Sequence, residues 1–317
     1  MWWAELPEQN HWHFSLVKSS LILSKQQRVR YDLDAQYGFC AVCIVVLNTS
    51  VGDFIGTDGH HLGTHDGRLI EGTIVKLTRY LKTRLKTLRG MTVVHIGAHH
   101  GQEAAAYNAM LARRVCWIEA NPETFKILSS NLADFQANHK TLLHRMLGDE
   151  PTEHICINAL ITESNGDQHE FFRFNNEGAS DSVFHLADDV QIANLKETGD
   201  VLNLSSNTLD TTLQNHGVDP AEVDVLVLDT QGAELLCLKG AEATLSNLKY
   251  LESEVSTQPV YEGGVLYDEL AQWLDERGFT RRTRIRKTHC NVLFVNCLLY
   301  TSPSPRDQRG SRMPSSA

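Results

Sequence analysis

Apolar positions recur along this chain with two different periods. Between Arg68 and Arg89, the residues Ile70, Ile74, Leu77, Leu81, Leu85 and Leu88 fall at steps of three and four. That spacing predicts one amphipathic helix over 68–89. Its opposite face carries Arg68, Lys76, Arg79, Lys82, Arg84, Lys86 and Arg89. It reads as a solvated basic face on a docked surface helix, or as an attachment to an anionic surface. From Met91 onward short apolar runs alternate with helical patterns, which predicts a parallel sheet covered on both faces. The runs place strands at about 92–96, 115–119, 154–161, 223–228 and 249–255. A helix follows from Gln102. Another opens at Asn121-Pro122-Glu123 with a capping side chain, a proline and an acid, and buries Phe125, Leu128 and Leu132. A third carries Leu266, Leu270, Trp273 and Leu274 and is closed by Gly278 in a left-handed cap. Residues 282–285 and 291–295 read as a final antiparallel pair. Residues 163–210 form a long insertion with a possible hairpin at EFFRF and a polar turn at NNEGASDS.

The chemistry is expected at two strand ends. The first strand runs into Gly97-Ala98-His99-His100-Gly101, and the second delivers Glu119 at its carboxyl end. Strand, glycine turn, helix, strand and acid in this order hold a nucleoside-bearing cofactor at the carboxyl ends of parallel strands. A dinucleotide fold needs Gly-x-Gly-x-x-Gly so that a pyrophosphate can reach the helix N-terminus. Here Gly97 and Gly101 are separated by three residues, with no third glycine in register. S-adenosylmethionine (SAM) carries no phosphate. Its amino-acid end needs an open turn with bare backbone groups, and glycine supplies the freedom for one. Glu119 then stands where an acid can accept both ribose hydroxyls. The alternative is a nucleotide-free α/β fold with a tight turn.

The fourth strand ends in Asp229-Thr-Gln231-Gly232-Ala-Glu234, and the fifth in Glu252-Ser-Glu254 followed by Pro259-Val-Tyr261-Glu-Gly-Gly264. An acid at the end of a central strand lies at the cofactor crevice, which singles out Asp229. Alternation puts Glu252 and Glu254 on one side of the sheet. Glu252 reads equally as half of a structural salt bridge. Asp229 is the first candidate for a base and Glu254 the second.

Composition narrows the function further. The formal net charge of −10 argues against a general nucleic-acid binder. No apolar run reaches the ~18 residues of a membrane span, and Gly38–Leu47 reads as a buried strand. There is no basic start followed by an apolar core, and the seven cysteines lie mostly in apolar runs. Both features point to reduced thiols in a cytoplasmic protein. Cys40 and Cys43 lack a second cysteine pair at zinc spacing. His60, His61 and His65, with Asp58 and Asp66, lie in a glycine-rich polar loop, so no metal is expected. The basic run Arg281–Lys287 reads as a guarded edge strand. Tyr300–Ala317 lacks periodicity, resembles translated adaptor sequence and is expected to be disordered.

Taken in order, VVHIGAHHGQE, WIEANP, INALI, NNEGASDS, NTLDTTL, VDVLVLDTQGAELLCLKGA and YLESEVSTQPVYEGG, with the closing RKTHCNVLFVN, resemble the FkbM-type methyltransferases over roughly residues 68–297. The resemblance implies an α/β class I SAM-dependent (Rossmann-like) sheet of seven mostly parallel strands, the last one antiparallel. It also implies methyl transfer from SAM, often to a hydroxyl of a sugar or secondary metabolite, so the partner is a small-molecule or carbohydrate acceptor. Carried over, Gly97, Ala98 and Gly101 line the methionine end of SAM. Glu119 binds the ribose, with Asn121 nearby, and Asn158 and Ala159 border the adenine. Asp229 and Gln231 face the methyl group and the acceptor. His95 stands where the family usually has an acid toward the SAM ammonium, and Gln231 where it often has Glu. The domain expectation is 1–66 as a region of unclear fold, 67–298 as the methyltransferase domain and 299–317 as the tail. A non-catalytic interaction protein of the same fold, or a dinucleotide-dependent oxidoreductase, are the competing readings.

Overall fold

The structure is a computed structural model. It describes residues 87–138, 147–188, 194–285 and 287–300, and three strands nearer the N-terminus. The chain divides into two units, Met1–His65 and Asp66–Ala317. In the first, β1 (Phe14–Val17), β2 (Ser20–Leu23) and β3 (Arg30–Asp32) form an antiparallel sheet in that order. The Cys40/Cys43 pair, the Gly38–Leu47 run, the histidine loop at 60–65, most of the predicted basic helix and the tail from 301 lie outside the described residues. The last three residues of that helix are described and are not helical. Arg89 bridges to Ala112 instead, and Leu88 is buried.

The second unit is built on a seven-stranded sheet. Its strands are β4 (Thr92–Ile96), β5 (Arg114–Glu119), β6 (Glu153–Asn158), β10 (Val223–Leu228), β11 (Tyr250–Ser256), β12 (Phe279–Arg281) and β13 (His289–Asn296). The spatial order is β12-β13-β11-β10-β4-β5-β6. β13 is antiparallel to both neighbours, and the pairs from β11 to β6 are parallel. This is the class I methyltransferase arrangement. The chain builds outward from β4 in one direction, then returns to β10 on its other side. The resulting switch point lies between the ends of β4 and β10, where a crevice must open.

Helices cover both faces. α1 (Ala104–Ala109) and α2 (Pro122–Asn138) pack on one side, where Tyr107, Leu128 and Leu132 meet Val93, Val115, Trp117 and Val227. α3 (Leu209–Asn215), α4 (Glu234–Lys239), α5 (Glu242–Asn247) and α6 (Tyr267–Asp275) cover the other. There Leu213, Leu238, Leu245, Leu270 and Leu274 pack on Val94, Ile118, Leu226 and Leu251. The central strands are apolar on both faces because both are covered. Asn121 caps α2 as expected, accepting from the Glu123 N–H at 2.9 Å. Gly278 follows α6 with φ +82°.

Three boundaries differ from the sequence reading. The first helix begins at Ala104, not Gln102, because Gly101 to Glu103 are still in the turn. The third strand ends at Asn158, and the remainder, β7 (Leu160–Ile161), leaves the main sheet to pair with β9 (Glu197–Asn207). β9 also pairs antiparallel with β8 (Gln168–Phe174), so EFFRF does lie in a hairpin. Finally, the strand expected at 282–285 is β12 at 279–281. Phe279 is buried and anchors this edge strand, whereas the basic residues beyond Arg281 have no such face.

The switch point is held by a close approach. The Asp229 N–H donates to the Ile96 carbonyl at 3.0 Å. Gly97, at φ +76°, lies so near that a Cβ on it would stand 1.8 Å from the Asp229 carbonyl oxygen. Gly217 has a similar φ of +72° with nothing within 4 Å of a Cβ. Gly217→Ala therefore reports conformational strain alone, about 1–2 kcal/mol. Gly97→Ala adds a backbone collision that only separation of the two strand ends can relieve, for a loss of more than ~3 kcal/mol. Urea unfolding of both variants checks the difference, and equal losses would contradict the close approach.

Candidate active site

Four segments converge at the carboxyl end of the sheet: the 97–101 turn, the 229–234 turn, the 256–266 loop and part of the insertion. Glu119 ends β5 and is 6 % exposed. Its two carboxyl oxygens accept the N–H groups of His99 and Asn121, each at 2.9 Å. This holds the carboxyl group against the glycine turn, with a lone pair left on each oxygen. His99 adopts φ +46°, a strained conformation for a non-glycine residue, to reach it.

The turn does not present the bare donors expected of it. The Gly97 and Ala98 N–H groups both donate to the Ile118 carbonyl, at 3.0 and 3.1 Å, and the Gly101 N–H donates to Ala98 at 2.9 Å. With His99 on Glu119, four of the five amides are engaged within the protein. A phosphate would find few donors here, which weighs against a dinucleotide. Gly101 is also a packing residue, since a Cβ there would meet the Leu128 side chain at 2.8 Å.

Other expected cofactor residues also make contacts within the protein. His95 is 2 % exposed, stacks on Trp117 and has Nδ1 3.2 Å from the Tyr107 hydroxyl. Burial holds it down at about 4, so it is neutral at ordinary pH. Asn121 is wholly buried, and its amide nitrogen donates to Asp181 Oδ2 at 2.7 Å. Asn158 donates to the carbonyls of Glu119 and Ala120 at 2.8 and 3.0 Å, and the Ala159 N–H also bonds Glu119. These two fix the backbone that carries Glu119.

At the ends of β10 and β11 the structure brings the two expected acids together. The side-chain nitrogen of Gln231 donates to Asp229 Oδ1 at 2.6 Å and to Glu254 Oε2 at 2.8 Å. Gln231 sits at φ +54° to make both contacts. Its own carbonyl oxygen accepts the Tyr261 hydroxyl at 2.6 Å. Glu254 Oε1 lies 2.9 Å from His289 Nε2, and Ser256 Oγ lies 2.7 Å from His289 Nδ1. Burial and the neighbouring Glu254 charge push Asp229 well above the usual carboxylate range, toward its protonated form. Glu254, although buried, is held below its usual range by His289. Gln231, Gly232, Glu254, Ser256, Tyr261 and His289 all line an open cleft beside these groups.

Sequence reasoning did not single out His289, although it lies in the closing RKTHCNVLFVN segment. The expected antiparallel last strand held the clue, because its first residue must lie beside the end of β11, and His289 indeed pairs with Ser256. The contacts that the insertion makes with the site were also not readable from the sequence. Glu177 offers its carbonyl to His99 Nε2 at 3.1 Å, Asp181 holds Asn121, and Ser182 Oγ donates to the Gln231 carbonyl at 2.8 Å. The 175–182 turn thus ties the cofactor-side loop to the acid-bearing loop.

The buried ionisable groups predict a pH response. Burial pushes Glu119 and Glu234 up to about 7, and His95 and His154 down to about 4. Between pH 4.5 and 6.5 the two kinds of group oppose each other. The unfolded chain binds histidine protons that the fold refuses, and the fold keeps glutamate protons that the unfolded chain releases. Above pH 6.5 the groups that differ are those the fold holds protonated, Glu119 and Glu234 with Asp229 and His289, so stability falls as pH rises. Thermal unfolding should show Tm dropping over that window and Glu119→Gln making the drop shallower. A wild-type Tm that rises there would contradict the assignment.

No curated protein matches the chain. Among solved structures, an FkbM methyltransferase from Methylobacillus flagellatus KT is 13% identical, with a TM-score of 0.39 over 65% of this chain and 43% of that one. The chain therefore spans less than half the length of this first relative. A SAM-dependent methyltransferase from Aquifex aeolicus is 13% identical, with a TM-score of 0.36 over 72% of this chain and 92% of its own. A magnesium protoporphyrin IX methyltransferase from Synechocystis PCC 6803, solved with SAM bound, is 10% identical, with a TM-score of 0.39 over 81% and 93%. The family model of the methyltransferase FkbM domain matches residues 95–281, more than half of the chain and every segment of the crevice up to β12. The chain belongs to the FkbM-domain methyltransferase family.

Proposed function

We propose that this protein transfers a methyl group from SAM to a hydroxyl of a sugar or small secondary metabolite. The observation that carries the reading is the pairing of two acidic stations across one switch point. Glu119 is braced against the glycine turn on one side, and Asp229, Gln231 and Glu254 are bonded together on the other. SAM supplies, when bound, an electrophilic methyl carbon on a positively charged sulfur.

The protein's own groups fit such a donor. Glu119 has lone pairs for two ribose hydroxyls, and each hydroxyl it accepts favours its ionised form. Glu254, held toward its ionised form by His289, gives the far side of the crevice a negative field, which suits a cation. Gln231 fixes the spacing of the two acids and, being neutral, adds no charge of its own. Alignment of the acceptor against the donor can contribute several kcal/mol. A base for the hydroxyl proton contributes roughly 10²–10⁴-fold. We place that base at the end of β11, where Glu254 is held below its usual range by His289.

Calorimetry with SAM should show one site, and Glu119→Ala should weaken it by about 1.5–3 kcal/mol, as for hydrogen bonds to a charged group. NAD(H) should give no heat. No SAM binding at millimolar concentration would overturn the donor assignment. In turnover with saturating SAM, Glu254→Gln should lose more than Asp229→Asn, because His289 holds Glu254 toward its ionised form while burial and Glu254 hold Asp229 toward its protonated one. Wild-type rates in both variants would remove the acidic cluster from the reaction.

A further inference from the structure

The mouth of the cleft holds a chain of groups that the two acids alone do not explain. Glu254 Oε1, His289 Nε2, His289 Nδ1 and Ser256 Oγ follow one another at 2.9 Å, across the ring, and 2.7 Å. A carboxylate on Nε2 keeps the ring proton there, which leaves the Nδ1 lone pair to accept from the serine hydroxyl. Ser256 and His289 both line the cleft, and the His289 side chain is 39 % exposed. A structural histidine at a strand end needs neither a buried carboxylate behind it nor a hydroxyl relay in front of it.

We propose that His289 is the general base for the acceptor hydroxyl, reached through Ser256 and held in position by Glu254. The proposal rests on the transferase reading above. The acceptor O–H bond breaks and its proton passes to Ser256 Oγ, as the Ser256 proton passes to His289 Nδ1. The freed electron pair on the acceptor oxygen forms the bond to the methyl carbon. The carbon–sulfur pair leaves with the sulfur, which becomes a neutral thioether. His289 ends as an imidazolium facing the Glu254 carboxylate, and Ser256 is restored. Glu254 is thus a positioning residue.

The charges around His289 suit this role. Glu254 faces it from β11, Glu234 from the first turn of α4, and Asp229 from the end of β10 through Gln231. The bond to Glu254, and after it the Glu254 and Glu234 charges, raise the imidazole above its ordinary 6.5. A base near neutrality is the efficient kind, because it is both free to accept and strong enough to do so. The rest of the cleft is lined by Val255, Val260, Val265 and Leu266 with no lysine or arginine. An uncharged acceptor with an apolar body fits this lining better than a phosphorylated one.

Two measurements on the full chain test the proposal. The first is NMR of ring-labelled histidine, which needs no acceptor. His289 should titrate above free histidine, and Glu254→Gln should shift its titration to lower pH. A resonance that stays neutral from pH 5 upward, or one that ignores Glu254→Gln, would overturn the proposal. The second is formation of S-adenosylhomocysteine from SAM, with simple phenols and methyl glycosides as probe acceptors. Wild-type kcat should rise with pH along a limb that matches the His289 titration. His289→Ala should lose roughly 10²–10⁴-fold and regain part of it from added imidazole. Ser256→Ala, which removes one hydroxyl, should lower kcat with little change in SAM affinity. An unchanged rate and limb in both variants would overturn the proposal while leaving the transferase reading intact. Failure of the wild type to bind SAM would overturn that reading instead, and the NMR titration would still judge the histidine.

Discussion

The whole site depends on the contact between the ends of β4 and β10. The Asp229 carbonyl occupies the space where Gly97 would carry a side chain, and the Asp229 amide is tied to Ile96. Because these two strand ends touch, the turn that follows β4 and the turn that follows β10 leave the sheet together and diverge. The crevice is the gap between them. Its two walls are bonded by different means. The β5 side is fixed by backbone amides on Glu119, and the β11 side by one glutamine amide shared between two carboxyl groups.

Across that gap the insertion acts as a strap. Its small apolar cluster of Phe172 and Phe174 packs with Tyr261, which belongs to the loop after β11. Its polar turn bonds to His99, Asn121 and Gln231. Gly232, at φ +100°, lets the acid-bearing loop pass within 3.2 Å of Tyr261 and Gly264, measured from where its Cβ would stand. Tyr261 therefore serves two ends. Its ring anchors the insertion, and its hydroxyl orients the carbonyl of Gln231, which leaves the Gln231 amine no choice but to face the two acids.

The sheet was legible because its central strands are covered on both faces. A run such as Val225–Leu228 has no other stable home. The edge was not. β12 is three residues long and carries one buried side chain, too little for a pattern, so the basic run beyond it drew the prediction away. Glu119, Asp229 and Glu254 could be picked out because strand ends in a parallel sheet have a fixed relation to the crevice. The roles of Gly101, His95, Asn121 and Asn158 could not. Each sits at a recognisable position, but whether a residue there faces the crevice or braces the framework depends on neighbours distant in sequence: Leu128, Tyr107, Asp181 and Ala120. His289 was hidden for the opposite reason. It lies at the beginning of a strand, and only the reversed direction of β13 turns that beginning toward the chemistry.

That reversal has a consequence for biosynthesis. Six strands of the large sheet, both glycine turns and the strap are encoded before residue 289, yet the carboxylate on β11 acquires its histidine neighbour only when the closing hairpin threads into the sheet. A nascent chain still short of that hairpin holds an incomplete centre, with β11 exposed along the edge that β13 later covers.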